Sequence, residues 1–388
     1  MRGESSGSPA PQSGVLPPRT KLAAALEQVH RRPELIGAVF QPIVDLERGV
    51  PCGYEILARF PRPPLVRPEH WFGAASARGV TGPLEARMVR YALSRRADLP
   101  AGCFMSINLS PRGALARPVQ AAFATAEDLD DVVVEITERI AVSDYDQLTD
   151  ALAPLRARGA RVAVDDAGSG FASLRHILEL RPEHVKVDRS LVGGVDREPL
   201  KAAAVETLGD YARRIGAALV AEGVERVEEL DTLIGLGVPL AQGFLLARPG
   251  AELAGLDADL AAHAREQAAR RRDARSVGAL VEPVAALPAQ ASPEQVAARF
   301  AGDPALEYVA MADEAGRPVA IITREASAAG RTPTEPLRIE TRDAVRPAAR
   351  RAMSRPSPER FDPLTCCDDQ GRLVGVVRVE RLVEFLSR

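Results

Sequence analysis

From Lys21 to Pro249 the chain alternates between short apolar runs and longer Ala-, Leu- and Arg-rich stretches with helical spacing. Apolar runs too short for a helix and closed by polar or Gly-containing turns read as strands, and the stretches between them as crossover helices. The strand candidates are Gly37–Val44, Pro51–Ala58, Cys103–Leu109, Val132–Ile136, Arg161–Val164, His184–Val187, Ala218–Ala221 and Leu240–Leu245. The first two lie too close for an intervening helix and predict a hairpin; helix-sized segments separate the rest. This spacing predicts an α/β fold, a modified (β/α)8 TIM-like barrel with one antiparallel strand, over residues 21–261.

Either side of that pattern the periodicity changes. Residues 1–20 are rich in Ser, Gly and Pro and predict a disordered tail. Residues 262–278 predict an exposed, basic connecting helix that reads as a solvated linker. Residues 279–388 hold a weak internal repeat, each copy a helix, an apolar strand, an acidic-Gly turn and a second apolar strand. Two such copies predict a smaller, pseudo-symmetric α+β domain. The turns Asp313–Gly316 and Asp368–Gly371 read as hairpins rather than metal sites.

Composition narrows the function classes. A net charge of -3 and a pI near 6.1 supply no basic field for a nucleic-acid backbone, so no DNA partner is expected. No run approaches the roughly 18 apolar residues that cross a bilayer, and no signal-peptide core stands at the N-terminus, so the chain is expected to be cytoplasmic, without membrane insertion. The cysteines Cys52, Cys103, Cys366 and Cys367 lack zinc spacing, and no disulfide is expected in that compartment. Lysine occurs only at 21, 186 and 201, and Asn108 is the single asparagine. Against so Arg-rich a background, Asn108 and Lys186 mark positions where a particular side chain is required.

In a barrel of this kind the working residues stand at the C-terminal strand ends. Those ends carry Glu55, Asn108, Glu135, Asp165 with Asp166, Lys186, Glu222 and Gln242. A single acid at a strand end is as readily a helix N-cap or a surface charge, and Asn108 alone reads as the cap of the Ser-Pro helix start that follows it. Their convergence on one rim is what points to chemistry. So many carboxylates repel one another unless cations neutralise them. An oxygen donor set without Cys or His suits Mg²⁺ or Mn²⁺ rather than zinc. A pair of such ions suits phosphodiester hydrolysis, with Lys186 as a compact positive charge beside the water or the phosphate. The five histidines share no spacing.

These residues also form a set of motifs: Phe40-Gln-Pro42, Tyr54-Glu-Ile-Leu-Ala-Arg59, Ile107-Asn-Leu-Ser110, Glu135-Ile-Thr-Glu138, Asp165-Asp-Ala-Gly-Ser-Gly170, Lys186-Val-Asp188, Ala221-Glu-Gly-Val-Glu225 and Gln242-Gly-Phe244. In order and spacing they resemble the EAL-domain cyclic di-GMP phosphodiesterases, over roughly Leu22 to Pro249. The resemblance implies metal-dependent hydrolysis of cyclic di-GMP to linear pGpG by a homodimer. By that resemblance Glu55, Asn108, Glu135 and Asp165 hold one metal, while Asp165, Asp166 and Glu222 hold or flank the second. Lys186 and Glu222 position or deprotonate the attacking water. Arg59 grips a phosphate, Gln41 and Gln242 line the pocket, and Glu138 anchors the loop from Asp166 to Ser173 that couples the site to a dimer interface. The chain departs from the family in that loop, where Ala167 replaces a usual Phe and Phe171-Ala172 a usual Tyr-Ser. Less packing there implies reduced or more tightly regulated activity. The alternative is a receptor that binds cyclic di-GMP and signals through its C-terminal domain.

The C-terminal repeat resembles a pair of CBS motifs through Gly316–Thr323 and Gly371–Arg378. That resemblance implies regulation of the attached domain by a nucleotide or protein partner. The hydroxyl that precedes the ribose-binding acid is Thr323 in one copy but Arg378 in the other, and the acid is replaced by Ala326 and Arg381. These changes favour dimerisation or partner sensing over nucleotide binding.

Overall fold

The computed structural model describes residues 19–60, 68–137, 144–168 and 172–387. The chain divides into two compact units, Met1–Ala268 and Ala269–Arg388.

In the first unit eight strands close into a barrel in chain order: β1 (Gly37–Asp45), β2 (Val50–Arg59), β3 (Phe104–Leu109), β4 (Val132–Ile136), β5 (Arg161–Ala167), β6 (His184–Val187), β7 (Ala218–Ala221) and β8 (Leu240–Ala241). β1 is antiparallel to both neighbours, β2 and β8, and the other pairs are parallel. The hairpin and the single antiparallel strand are therefore as the spacing predicts. β8 is shorter than its apolar run because the chain turns at Gly243, whose carbonyl accepts from the Leu246 and Ala247 N–H groups. β5 is longer, continuing through Asp165 and Asp166 to Ala167.

The strands are apolar throughout because both of their faces are covered. One set of alternate residues, among them Ile107, Val134, Val164 and Val185, packs outward into the main core beneath the helices. The other set, Ile43, Phe104, Val133, Ala163 and Val220, forms a separate apolar cluster, as expected of side chains filling a barrel interior. The helices α1 (Arg19–Arg31), α2 (Pro68–Ser76) and α3 (Thr81–Ser94) precede β1 or lie between β2 and β3, and the short helix α4 (Pro111–Ala114) follows β3.

The second unit holds two three-stranded sheets. One orders β9 (Ala285–Pro288), β10 (Tyr308–Ala312) and β11 (Pro318–Thr323); the other orders β12 (Arg338–Glu340), β13 (Leu364–Cys367) and β14 (Leu373–Val377). Each pairs its first two strands in parallel and its last two antiparallel, with a helix (Pro293–Ala301 or Val345–Met353) as the parallel crossover. The repeat is thus β-α-β-β, one strand longer at its start than the sequence pattern suggests. Asp313 and Asp368 each accept a hydrogen bond at 2.8 Å from the backbone N–H of the Arg four residues on, and Gly316 and Gly371 both take φ +77°. Both turns are hairpins. Each copy has its own apolar cluster, around Val309 and Ile322 in the first and around Ile339 and Val377 in the second.

Candidate active site

The rim of the barrel follows from the two-residue period of a strand. Stepping two residues from each member of the plug toward the C-terminal mouth turns the same face from apolar to polar. Phe104 leads to Ser106 and Asn108, Val133 to Glu135, Ala163 to Asp165, Val220 to Glu222, and Leu240 to Gln242. His184, whose ring lies 5.2 Å from that of Phe104, leads in the same way to Lys186. On the antiparallel β1 the step runs backward, from Ile43 to Gln41.

Lys186 is the hub. It is 1% exposed, and its Nζ stands 2.7 Å from Glu135 Oε2, 2.7 Å from Glu222 Oε1, 3.2 Å from Glu55 Oε2 and 3.6 Å from Asp165 Oδ1. Glu55 also accepts from Asn108 Nδ2 at 2.5 Å and from Gln242 Nε2 at 2.6 Å, and Gln242 Nε2 reaches Gln41 Oε1 at 2.9 Å. Glu135 accepts from the Ser106 hydroxyl. Sequence reading passed over Ser106, although it shares the inward face of β3 with Asn108.

Asp165 and Asp166 are consecutive, so in a regular strand they would face opposite sides. The β5–β6 register shifts between Val164 and Ala167, and Asp166 takes φ +57°, the left-handed region that few residues other than Gly, Asn and Asp enter. With this bulge one carboxylate oxygen from each of Asp165, Asp166 and Glu222 lies within 4.8 Å of the others. Ala167, just beyond, is fully buried in the main core.

The cluster carries more acid than its one ammonium balances. Burial opposes ionisation of Glu55, but Lys186 and the hydrogen bonds from Gln242 and Asn108 outweigh it and lower its pKa. Burial and the Glu55 charge push Glu135 up to about 8. Burial, with Asp165 and Glu55 nearby, holds Glu222 well above the usual carboxylate range. Burial likewise raises Asp165, whose Oδ1 is buried without a hydrogen-bond partner. Carboxyls held up by one another are poised to exchange protons for cations. The oxygen donors, the orphaned Asp165 Oδ1 and the Asp165–Asp166–Glu222 triangle all fit hard divalent ions such as Mg²⁺ or Mn²⁺.

Two cavities open beside the cluster. One, of 550 Å³, is lined by Arg59, Asn108, Asp165 and Asp166 together with apolar groups such as Phe72 and Met88. The other, of 230 Å³, is lined by Gln41, Glu55, Glu222, Gln242, Arg189 and Phe244. Arg59 Nη1 donates to the Ala58 carbonyl at 2.9 Å, which leaves other guanidinium donors at the mouth of the first cavity. The structure therefore brings together every predicted site residue except Glu138, which lies outside the described residues. No described helix is long and apolar enough to cross a membrane.

Residues 23–249 match the EAL domain family model. The chain is 32% identical over 230 residues to the cyclic di-GMP phosphodiesterase RocR of Pseudomonas aeruginosa, covering 57% of this chain and 59% of that protein. It is 27% identical over 243 residues to the cyclic di-GMP phosphodiesterase PdeL of Escherichia coli, covering 59% and 65%. The chain spans less than two thirds of the length of these relatives. Among solved structures, the Klebsiella pneumoniae BlrP1 complex with manganese and cy-diGMP at pH 9.0 superposes with a TM-score of 0.51 at 29% identity, covering 58% of each chain. A calcium and cy-diGMP complex of BlrP1 gives 0.51 at 29% identity over 57% of each chain.

Proposed function

The chain belongs to the EAL domain family, and on that premise we propose that it hydrolyses one phosphodiester of cyclic di-GMP to give linear pGpG, with two Mg²⁺ or Mn²⁺ ions. The observation that carries this reading is the complete ring of carboxylates around Lys186, with Asp165, Asp166 and Glu222 in ligating reach of one another. In the proposed assignment Glu55, Asn108, Glu135 and Asp165 hold one ion and Asp165, Asp166 and Glu222 the second. When bound, the ions supply Lewis-acid charge at the phosphate and make a water more acidic.

The remaining work falls to the chain's own groups. The Asn108 amide donates through Nδ2 to Glu55, which leaves its Oδ1 as the oxygen it would offer a cation. Lys186, donating to Glu222 at 2.7 Å, keeps that carboxylate at the mouth, where it can take the proton of the attacking water. Lys186 itself remains an ammonium, which suits it to stabilise charge that builds on the phosphate oxygens. Arg59 stands where a guanidinium can grip a phosphate from the side of the larger cavity. Gln41 and Gln242 line the smaller one, and Glu138 is assigned as the anchor of the loop after Asp166. We assign the second unit, as a CBS-like pair, to regulation of the barrel by a nucleotide or protein partner, and the working form to a homodimer.

The test is direct. Purified chain is incubated with cyclic di-GMP in Mg²⁺, Mn²⁺ or EDTA, and nucleotides are followed by chromatography, with Glu55→Gln as control. Metal-dependent pGpG that is absent in the variant is the expected result. Binding without product makes the chain a receptor, and neither binding nor product from folded protein overturns the reading.

A further inference from the structure

Glu85 is a buried carboxylate that the proposed chemistry does not use. It lies on α3 and is 3% exposed, yet borders the larger cavity beside Asn108 and Ser110. One oxygen, Oε1, accepts the backbone N–H of Ser110 at 2.9 Å. The other, Oε2, is buried without a hydrogen-bond partner. It occupies a notch that exists only because residue 113 is glycine, since a Cβ there would fall 1.3 Å from Oε2. The turn closes on itself as well, with the Gly113 N–H donating to Ser110 Oγ at 3.0 Å. The segment Asn108–Gly113 is thus wrapped around a carboxylate that reaches it from another element.

A glutamine at position 85 would offer the Ser110 N–H an acceptor at the same reach without burying an acid. A half-satisfied buried carboxylate is costly, and what it gives in return is a hydrogen bond from another element that fixes the exit of β3. Asn108 stands two residues before that bond, with its amide against Glu55. We propose that Glu85 is a positioning residue for the metal site: through the Ser110 N–H and the Gly113 notch it sets where the Asn108 amide stands. This rests on the reading of Asn108 as a metal ligand. Supporting groups of this kind typically change metal affinity about 10- to 100-fold when lost.

Four variants of the full chain test it: Glu85→Asp, Glu85→Gln, Glu85→Ala and the pair Glu85→Ala with Gly113→Ala. Each is measured for melting temperature, for Mn²⁺ affinity by calorimetry without substrate, and for turnover of cyclic di-GMP. Gln keeps an acceptor at the same reach and should hold Mn²⁺ affinity within a few-fold. Asp, one methylene shorter, retracts from Ser110 and should weaken Mn²⁺ binding about tenfold or more while remaining folded. In the pair, the new methyl enters the space that the carboxylate vacates. Its melting temperature should therefore recover relative to Glu85→Ala while Mn²⁺ affinity stays low. Recovery of both together, or wild-type Mn²⁺ affinity in folded Glu85→Asp, overturns the proposal by reducing Glu85 to a structural cap. If the wild type binds no Mn²⁺, the metal reading itself fails, which is a different outcome.

Discussion

Burial lowers the pKa of Lys186, but Asp165, Glu135, Glu222 and Glu55 outweigh it and hold the pKa well above the usual lysine value. Removing the ammonium while leaving the acids strands buried charge, and breaking such a cluster costs about 3–5 kcal/mol. Metal-free Lys186→Met should therefore melt well below the wild type, and saturating Mn²⁺ should return more stability to the variant than to the wild type. Equal metal-induced shifts in a thermal scan would show that Lys186 does not stand in for cation charge. Glu135 gives the matching pH effect. Its pKa rises from 4.5 to about 8, so the folded protein holds that proton more tightly than the unfolded chain does. The associated stability is complete below about pH 4.5 and is lost as pH rises through about 8. Metal-free wild type should lose melting temperature relative to Glu135→Gln between pH 6 and pH 9, and Mn²⁺ should close the gap at pH 9. A gap that does not change with pH would mean that Glu135 is already ionised. Asn108 and Lys186 were legible from their rarity in an Arg-rich chain. Ser106 and Glu85 were not, because a serine in a strand and a glutamate in a helix are commonplace until the partner across the fold is known.

Strands buried on both faces write themselves into the sequence as unbroken apolar runs, which is why β1 to β7 stood out. Where pairing depends on other segments the signal fades. β8 is only Leu240–Ala241 although the apolar run continues to Leu245, and β9 and β12 are short edge strands with half-exposed residues. The bulge that gathers Asp165 and Asp166 is a matter of register and leaves no periodic trace. The close approach of the β7 and β8 exits is equally hidden. At Gly243 an added Cβ would fall 2.2 Å from the Val224 carbonyl oxygen and 2.3 Å from its nitrogen, backbone atoms that cannot rotate away. The same two segments share the Val224 N–H to Gln242 carbonyl bond at 3.1 Å, next to Glu222 and the Gln242 side chain. Gly243→Ala should destabilise by about 1–3 kcal/mol and lower turnover by moving both groups. Gly235→Ala is the control of opposite sign. That helical glycine has nothing within 4 Å of an added Cβ, so alanine should stabilise by about 0.5–1 kcal/mol with turnover unchanged. Denaturant melts and initial rates on the two variants decide it, and like behaviour of both would mean that the Gly243 contact is not tight.

Stability in the whole chain is distributed over separate cores. The barrel has its own main core and interior plug, and the two sheets of the second unit have one apolar cluster each. An apolar cluster of a few side chains supports a small folding unit, whereas a core that runs the length of a barrel supports a larger and more cooperative one. Among the described residues the metal-fitting carboxylates Asp165, Asp166 and Glu222 lie in the first unit. A ligand that binds only the folded form stabilises the unit that binds it, by mass action. Calorimetry of the full chain is therefore expected to resolve two transitions, and Mn²⁺ should raise only the one that belongs to the barrel. Cyclic di-GMP added with Ca²⁺ should raise the same transition further. A single transition that moves as a whole would mean that the second unit unfolds with the barrel, so that stabilising the barrel also stabilises the second unit. Two transitions that both rise with metal would place a further ion site in the β-α-β-β repeats, where the turn acids Asp313 and Asp368 already spend one oxygen each on their own backbone. A rise confined to the barrel would mean that the second unit binds no Mn²⁺.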